Sequence, residues 1–257
     1  MAGKSKANKS GTVRIGIGGW TYEPWRGVFY PKGLTQKKEL EYASGQLGTI
    51  EINGTYYSTF KPESWRQWRD TVPEGFVFAV KASRYCTNRR ELAGMGESMA
   101  RFLDQGLTEL GAKLGPINWQ FMETKKFDPA DFEAFLKLLP KEKNGVALRH
   151  AVEVRHESFK TQAFYDLCTK YGVAIVCAED EDFPHIDEAT APFIYARFMA
   201  THEDAAEGID AKTKTRIAKV LTDWSARGDV FAYFISGAKV RNPAAAMAVA
   251  AALKKAK

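Results

Sequence analysis

The chain has 257 residues, 45% of them hydrophobic, which is enough to build one large hydrophobic core. The formal net charge is +6, but six lysines near the two ends account for all of it, namely Lys4, Lys6, Lys9, Lys254, Lys255 and Lys257. Without them, 31 basic residues balance 31 acidic ones. The overall charge is therefore weak evidence for a nucleic-acid partner, and any binding of an anion must depend on a local cluster.

The sequence carries no signal for a membrane or for secretion. No apolar run reaches about 18 residues, and no hydrophobic segment follows the lysines of the first twelve residues. The three cysteines, Cys86, Cys168 and Cys177, have neither a CxxC spacing nor a paired pattern, which favours buried thiols in a reducing compartment. We therefore expect a cytoplasmic protein without a membrane partner.

From residue 13 onward, short runs rich in β-branched and aromatic residues alternate with longer segments of helical periodicity. This alternation predicts an α/β fold, a single (β/α)₈ TIM-type barrel with eight parallel strands, and an open doubly wound sheet is the alternative. We expect a flexible basic leader over residues 1–12, one barrel domain over residues 13–253 and a basic tail over residues 254–257. The predicted strands are Val13–Ile17, Thr49–Asn53, Phe76–Lys81, Gly115–Phe121, Ala151–Arg155, Val173–Ala178, Phe193–Phe198 and Val230–Ile235.

Charged residues alternate with apolar ones in three of these strands. Since side chains of a strand point alternately to its two faces, Glu51 shares a face with Asn53, and Glu153 shares one with Arg155. The outward positions are then apolar, so these polar groups and Lys81 face the barrel axis at the C-terminal ends of the strands, where such barrels carry their sites. We expect Glu51, Lys81, Glu153, Arg155 and His156 to be the catalytic residues.

Polar and aromatic residues near the same strand ends are the candidates for ligand binding. The aromatic segment after the first strand could stack on a sugar or a base, or it could plug one end of the barrel. The basic loop of residues 81–90 could grip a phosphate, or its arginines could pair with neighbouring helices. The candidate ligand-binding residues are Trp20, Tyr22, Trp25, Asn53, Tyr56, Arg84, Gln120 and Arg197.

The cofactor stays unidentified at this level. Glu51, Glu153 and Asp180 are candidate ligands of a divalent metal, although no HxH or HExxH motif supports one. The glycines at positions 16, 18 and 19 do not complete a GxGxxG motif, so we expect neither a nicotinamide nor a flavin. The structural alternative is that the charges neutralise each other, Glu51 with Lys81 and Glu153 with Arg155 or Arg197.

Four ordered blocks, IGIGGWTYEPWRGVFYPKGL, TIEINGTYY, FAVKASRY and AVEVRHESF, resemble the YecE-like family, also called domain of unknown function 72. The resemblance implies a TIM barrel over nearly the whole chain, without an established activity, and a nucleic-acid role has been suggested for the family. The chain departs from the family where QLPP becomes Gln120–Phe121–Met122–Glu123 and RLHG becomes Arg197–Phe198–Met199–Ala200. The second change removes a histidine that could carry a proton or bind a metal.

We expect an enzyme of the hydrolase or isomerase type that acts at the C-terminal barrel mouth. Its ligand would be a small molecule carrying a phosphate or a sugar, or a nucleic-acid fragment. The alternative is a non-catalytic barrel that binds such a ligand or nucleic acid, and a third reading is a structural barrel whose charges satisfy one another. The sequence does not set the oligomeric state.

Overall fold

The computed structural model describes residues 10–255 and contains a closed barrel of eight parallel strands. Strand β1 pairs with β2 on one side and with β8 on the other, for example Ile15 with Ala232, so the sheet has no free edge. This closure confirms the predicted barrel and rules out the open sheet. The strands are β1 Val13–Gly18, β2 Thr49–Ile52, β3 Val77–Lys81, β4 Leu114–Gln120, β5 His150–Glu153, β6 Ala174–Glu179, β7 Phe193–Phe198 and β8 Asp229–Phe234.

Helices follow seven of the strands, and several begin with the predicted signals. Pro62 and Pro129 occupy first turns, and the side chain of Asp128 accepts hydrogen bonds from two backbone N–H groups of its helix. The helices are α1 Glu39–Gln46, α2 Pro62–Thr71, α3 Gly96–Leu103, α4 Pro129–Leu138, α5 Gln162–Tyr171, α6 Ala211–Ser225 and α7 Asn242–Lys255. In the described part of the chain, no helix is both long and apolar enough to cross a membrane.

One crossover differs from the expected pattern of a helix after every strand. Residues 180–192, which join β6 to β7, contain no helix. This segment is rich in acidic residues and contains Pro184 and Pro192, which disfavour a helix here. Instead, Thr190 Oγ1 donates a hydrogen bond to the carbonyl oxygen of Val173 at 2.7 Å and ties the loop to the barrel. A short antiparallel hairpin was not predicted either. Its two strands, of two residues each, are Glu142–Lys143 and Val146–Ala147.

The ends of the chain are only partly described. Of the predicted leader, residues 1–9 lie outside the described residues, and residues 256–257 of the predicted tail do so as well. Helix α7 continues through Lys254 and Lys255.

The strands separate two apolar layers. Outward side chains such as Ile50 and Ile52 pack under the helices, whereas inward side chains such as Ala79, Tyr195 and Tyr233 fill the barrel. Because of this alternation, the inward polar side chains of several strands lie together inside the barrel, near the C-terminal ends of the strands.

Gly16 allows two strands to approach each other closely. A Cβ atom at this position would lie 1.8 Å from the carbonyl oxygen of Thr49 in β2, whose backbone cannot move without disturbing the sheet. We expect Gly16→Ala to lower the free energy of unfolding by about 1–3 kcal/mol in urea titrations. The control is Gly48→Ala, whose added Cβ would meet its nearest atom at 3.7 Å. An equal effect of both substitutions would contradict this account.

Candidate functional site

Five inward side chains form a buried polar network inside the C-terminal half of the barrel. Each is at most 3% exposed. The network is called the floor below, and its members are Glu51 on β2, Asn118 on β4, Glu153 on β5, and Tyr195 and Arg197 on β7.

Arg197 lies between the two carboxylates of the floor. Its Nη2 is 3.1 Å from Glu51 Oε1, and its Nη1 is 2.6 Å from Glu153 Oε2. Asn118 Nδ2 donates to Glu153 Oε2 at 3.0 Å and to Glu51 Oε2 at 3.4 Å, and the Tyr195 hydroxyl donates to the same Glu51 oxygen. The structure therefore pairs Glu51 with Arg197, and the Glu51–Lys81 pair of the structural alternative is wrong.

The neighbouring charges keep the Glu153 carboxylate ionised. Burial alone would raise the pKa of Glu153, but the charges of Arg197 and Arg155 outweigh burial and lower this pKa from 4.5 to about 2. Burial also raises the pKa of Tyr195 well above its ordinary value, and the charge of Glu51 raises it further. The Tyr195 hydroxyl therefore stays protonated and donates to Glu51.

The lowered pKa of Glu153 predicts a loss of stability in acid. Because its folded-state pKa lies below its ordinary value, the stabilisation is complete above pH 4.5 and is lost as the pH falls from 4.5 to about 2. The expected loss is on the order of 3 kcal/mol in the free energy of unfolding. Glu153→Gln should flatten this pH dependence in urea titrations, whereas Glu41→Gln, at an exposed ion pair with Lys38, should not. Identical pH profiles for wild type and Glu153→Gln would exclude the predicted coupling.

Above the floor lie two partly exposed cations, Arg155 and Lys81, which are called the rim below, and Arg155 is the more firmly held of the two. Its Nε and Nη2 are 3.1 and 2.9 Å from Glu153 Oε1, and Nη2 also donates to Gln120 Oε1 at 2.9 Å. The guanidinium carbon lies 4.3 Å from the ring centroid of Phe183. With 23% of its side chain exposed, Arg155 presents a pre-positioned cation to the barrel mouth.

Lys81, at the end of β3, is the other cation of the rim. Its Nζ lies 4.3 Å from the ring centroid of Tyr56, and within residues 10–255 no carboxylate oxygen lies within 4.0 Å of it. Burial lowers the pKa of Lys81, the charge of Arg197 lowers it as well, and the charges of Glu153 and Glu51 oppose this fall, so that the pKa drops from 10.5 to about 8. The mouth thus holds one more cation than its two carboxylates neutralise.

Three buried polar atoms, two in the floor and one just after β2, have no hydrogen-bond partner in the described part of the protein. They are the Oδ1 atoms of Asn53 and Asn118 and the Nε atom of Arg197. An unpaired buried polar atom costs about 1–3 kcal/mol, so these atoms are suited to hydrogen bonds with a ligand or with water.

The aromatic segment after β1 lies mostly outside the mouth. The backbone of Gly19 is left-handed (φ 73°), and Trp20 packs on Trp68 and Phe78 in the outer layer, at centroid distances of 5.2 and 6.2 Å. Trp25 is buried, and its Nε1 donates to the carbonyl oxygen of Lys239 at 2.9 Å. The expectation that Trp20 and Trp25 stack on a ligand is therefore corrected, because both indoles are occupied by packing.

Tyr22 is partly exposed, and the Lys239 ammonium lies over its ring, 4.2 Å from the centroid. Tyr22 is thus the member of the predicted aromatic trio whose ring face is occupied by a cation at close range. A surface cleft of about 720 Å³ beside Trp20 and Trp68 lies between α1 and α2, away from the convergent charges of the floor and rim.

Three other predicted residues, His156, Arg84 and Asp180, lie apart from the floor. His156 Nδ1 accepts a hydrogen bond from the backbone N–H of Ser158 at 3.1 Å and so caps the short helical turn after β5. Arg84 is exposed and lies near the rings of Tyr57 and Tyr85.

Asp180 lies in the loop after β6, where its carboxylate accepts a hydrogen bond from the Asp182 backbone at 2.8 Å. It therefore does not join Glu51 and Glu153, which share Arg197 instead. Among residues 10–255, no three imidazole, thiol or carboxylate side chains converge as metal ligands do. The three predicted metal candidates do not fit a common metal centre.

Two floor residues were missed at the level of sequence, although a signal for them exists. In FIYARF, Tyr195 has the same parity as Arg197, and in PINWQ, Asn118 has the same parity as Gln120. The alternation that identified Glu51 and Glu153 would have identified both.

Known proteins match this chain in sequence and in fold. Residues 14–257 match the family described as "Protein of unknown function DUF72". The UPF0759 protein YecE of Escherichia coli (strain K12) is 28% identical over 150 residues, which cover 57% of this chain and 50% of that protein. The matched part thus spans about half the length of this curated relative.

Solved structures share the barrel. The crystal structure of a DUF72 family protein from Thermotoga maritima MSB8 is 22% identical, has a TM-score of 0.75, and matches over 95% of this chain and 98% of that one. A xylose isomerase-like TIM barrel/4-hydroxyphenylpyruvate dioxygenase fusion protein is 14% identical with a TM-score of 0.54, over 96% of this chain and 43% of that one. Because the family match covers nearly the whole chain, the protein belongs to DUF72, a family whose description assigns no function.

Proposed function

We propose that the protein is an enzyme whose barrel mouth binds the anionic group of a phosphorylated or sugar-containing ligand and acts on it by proton transfer, in a hydrolytic or isomerising reaction. The observation that carries this proposal is the ammonium group of Lys81. Among the described residues it has no carboxylate partner, whereas Arg155 and Arg197 in the same site each have one.

An uncompensated cation in a partly buried site favours an anion. The attraction is strengthened because the surroundings have a lower effective dielectric constant than water. Arg155 is already fixed by Glu153 and Gln120, so it can bind anionic oxygens with little loss of side-chain freedom. Lys81 and Arg155 would therefore hold a phosphate or carboxylate between them.

The sugar part of the proposal depends on the amide groups of the mouth. Asn53 Oδ1 and Asn118 Oδ1 are buried acceptors without a partner in the described protein, and ligand hydroxyl groups are suitable donors to them. The xylose isomerase-like neighbour supports the suitability of such a barrel for sugar chemistry at the level of fold only.

We revise the roles expected from the sequence. Glu51 and Glu153 are fully buried and held by Arg197, so we assign them to positioning Arg197 and Arg155, not to direct proton transfer. Lys81 has a pKa of about 8, which is near the range where a group exchanges protons efficiently at neutral pH. Lys81 is therefore the proposed acid or base.

The test is turnover of a panel of sugar phosphates and phosphoesters, followed by ³¹P and ¹H NMR. Release of inorganic phosphate reports hydrolysis, and new anomeric or carbonyl signals report isomerisation. We expect wild type to convert at least one compound and Lys81→Met to lower the rate by about 10²–10⁴-fold. The control, Lys219→Met, removes the same charge at an exposed ion pair on α6 and should keep full activity. Anion binding without turnover of any compound would favour the non-catalytic binding barrel.

A further inference from the structure

A second cleft opens beside the mouth, between the loops that follow β2 and β3 and helix α3. Its volume is about 570 Å³. It is called the arginine–tyrosine cleft below, and the residues that matter here are Tyr57, Ser58, Ser83, Tyr85, Arg89 and Arg101.

The arginines around this cleft have no acidic partner among the residues that the structure describes. Within residues 10–255, no carboxylate oxygen lies within 4.0 Å of the guanidinium groups of Arg84, Arg89, Arg90 or Arg101, whereas Arg216 and other surface arginines are paired. The expectation that arginines of loop 81–90 pair with neighbouring helices is therefore not met. Unpaired guanidinium groups at one surface cleft are suited to binding phosphate groups.

Two exposed aromatic rings border the same cleft. Tyr57 is 67% exposed and Tyr85 is 56% exposed, although aromatic side chains of this size are usually more buried. The guanidinium carbon of Arg84 lies 5.6 Å from the Tyr57 centroid and 5.4 Å from the Tyr85 centroid. Accessible ring faces beside cations are the arrangement on which unpaired nucleobases stack.

The cleft is continuous with the mouth. The ring centroids of Tyr57 and Tyr56 are 4.9 Å apart, and the Lys81 ammonium lies over the Tyr56 ring. Thr55 Oγ1, which also lines the cleft, donates to the carbonyl oxygen of Lys81 at 2.6 Å. A chain lying in the cleft could thus reach the rim of the mouth.

We propose that the arginine–tyrosine cleft binds single-stranded nucleic acid, with phosphates on Arg89 and Arg101 and bases stacked on Tyr57 and Tyr85. A single strand is favoured over a duplex because paired bases cannot offer their faces to the tyrosine rings. This inference goes beyond the proposed enzymatic function, because none of these four residues belongs to the floor or the rim.

The test is fluorescence anisotropy of a labelled oligothymidylate of about 12 nucleotides, titrated with the full-length protein over a series of salt concentrations. We expect Arg89→Ala/Arg101→Ala to weaken binding at least about tenfold and to reduce the salt slope by about 1.4, since each lost phosphate contact on a single strand contributes about 0.7. The matched control is Arg216→Ala/Arg227→Ala, which removes the same charge from paired arginines on the opposite side of the barrel. The control should change the affinity less than about twofold, and both double variants should stay folded at the assay temperature, with melting temperatures lowered by less than about 8 °C.

The tyrosines provide an independent check. Tyr57→Ala/Tyr85→Ala should weaken binding about tenfold or more without changing the salt slope, because it removes stacking and leaves the phosphate contacts. Equal effects of the two arginine double variants would overturn the proposal, because binding would then follow net charge alone. Equal competition by a duplex, or unchanged affinity of the tyrosine variant, would overturn it as well. Turnover at the mouth is measured separately, so failure of either proposal leaves the other standing.

Discussion

Replacing Arg197 with methionine should lower the free energy of unfolding by about 3–5 kcal/mol, because it leaves Glu51 buried without an ion-pair partner and leaves Glu153 paired with Arg155 alone. Glu51 and Glu153 are both fully buried, and Arg197 contacts each of them. Removing one partner of a buried ion pair is far more costly than the pair is stabilising, since the remaining charges keep their desolvation penalty. For a chain of this length, the expected fall in melting temperature is roughly 6–20 °C.

Urea unfolding and thermal melts measure this effect. The control is Arg227→Met, whose exposed pair with Asp187 should contribute less than about 1 kcal/mol. Adding Glu51→Gln to Arg197→Met should recover part of the lost stability, because one unpaired charge is removed. A loss below about 1 kcal/mol for Arg197→Met would show that the floor does not hold its charges as described.

Replacing Lys81 with methionine should weaken the binding of glucose 6-phosphate at least about 30-fold, because the unpaired cation of the mouth is lost. Lys81→Arg should keep most of the affinity, since it keeps the charge. Isothermal titration calorimetry at pH 7 measures both, with Lys219→Met as the control for the charge of the surface. Unchanged affinity in Lys81→Met would place the anion elsewhere.

The stability of Lys81→Met distinguishes a lysine that binds a ligand from one that stabilises the fold. The folded-state pKa of Lys81, about 8, lies below the ordinary 10.5. Folding therefore disfavours the charged form of Lys81, and at pH 7 this lowers the free energy of unfolding. Stability rises between pH 8 and pH 10.5, because the folded protein has released this proton and the unfolded chain has not. Lys81→Met should therefore not destabilise the protein at pH 7. A lysine that stabilised Glu51 by an ion pair would give a marked loss instead.

The affinity of the wild-type protein for the anion should fall as the pH rises through about 8, because Lys81 loses its proton in that range. In Lys81→Arg this fall should be absent, since arginine stays charged. Calorimetric titrations between pH 6.5 and about pH 9.5 with a ligand whose own ionisation is complete by pH 7 would measure the difference. Parallel pH profiles in the two proteins would contradict the assignment.

The eight strands and the inward direction of Glu51 and Glu153 follow from the sequence because the period of two in a strand is a local property. The partner of each charge is not local. Arg197 reaches Glu51 across the barrel from β7 to β2, 146 residues away in the chain, and no local pattern distinguishes it from Lys81 as the partner.

The loops were harder to predict than the strands, for a related reason. Whether Trp20 faces a ligand or packs outside depends on the left-handed turn at Gly19 and on Trp68, which lies on α2, far along the chain. The helix-free crossover at residues 180–192 shows the same limit, because its stability comes from tertiary contacts such as that of Thr190 with Val173. Such contacts leave no periodic signal in the sequence.

The central claim is that the mouth binds an anion through Lys81 and Arg155. Its most direct test is a crystal structure of the protein soaked with tungstate, a heavy tetrahedral stand-in for phosphate, with the ion located by its anomalous signal. We predict a tungstate ion within hydrogen-bond distance of Lys81 Nζ and the Arg155 guanidinium, above an unchanged floor. Tungstate bound only elsewhere, with Lys81 turned onto Glu51, would contradict the claim.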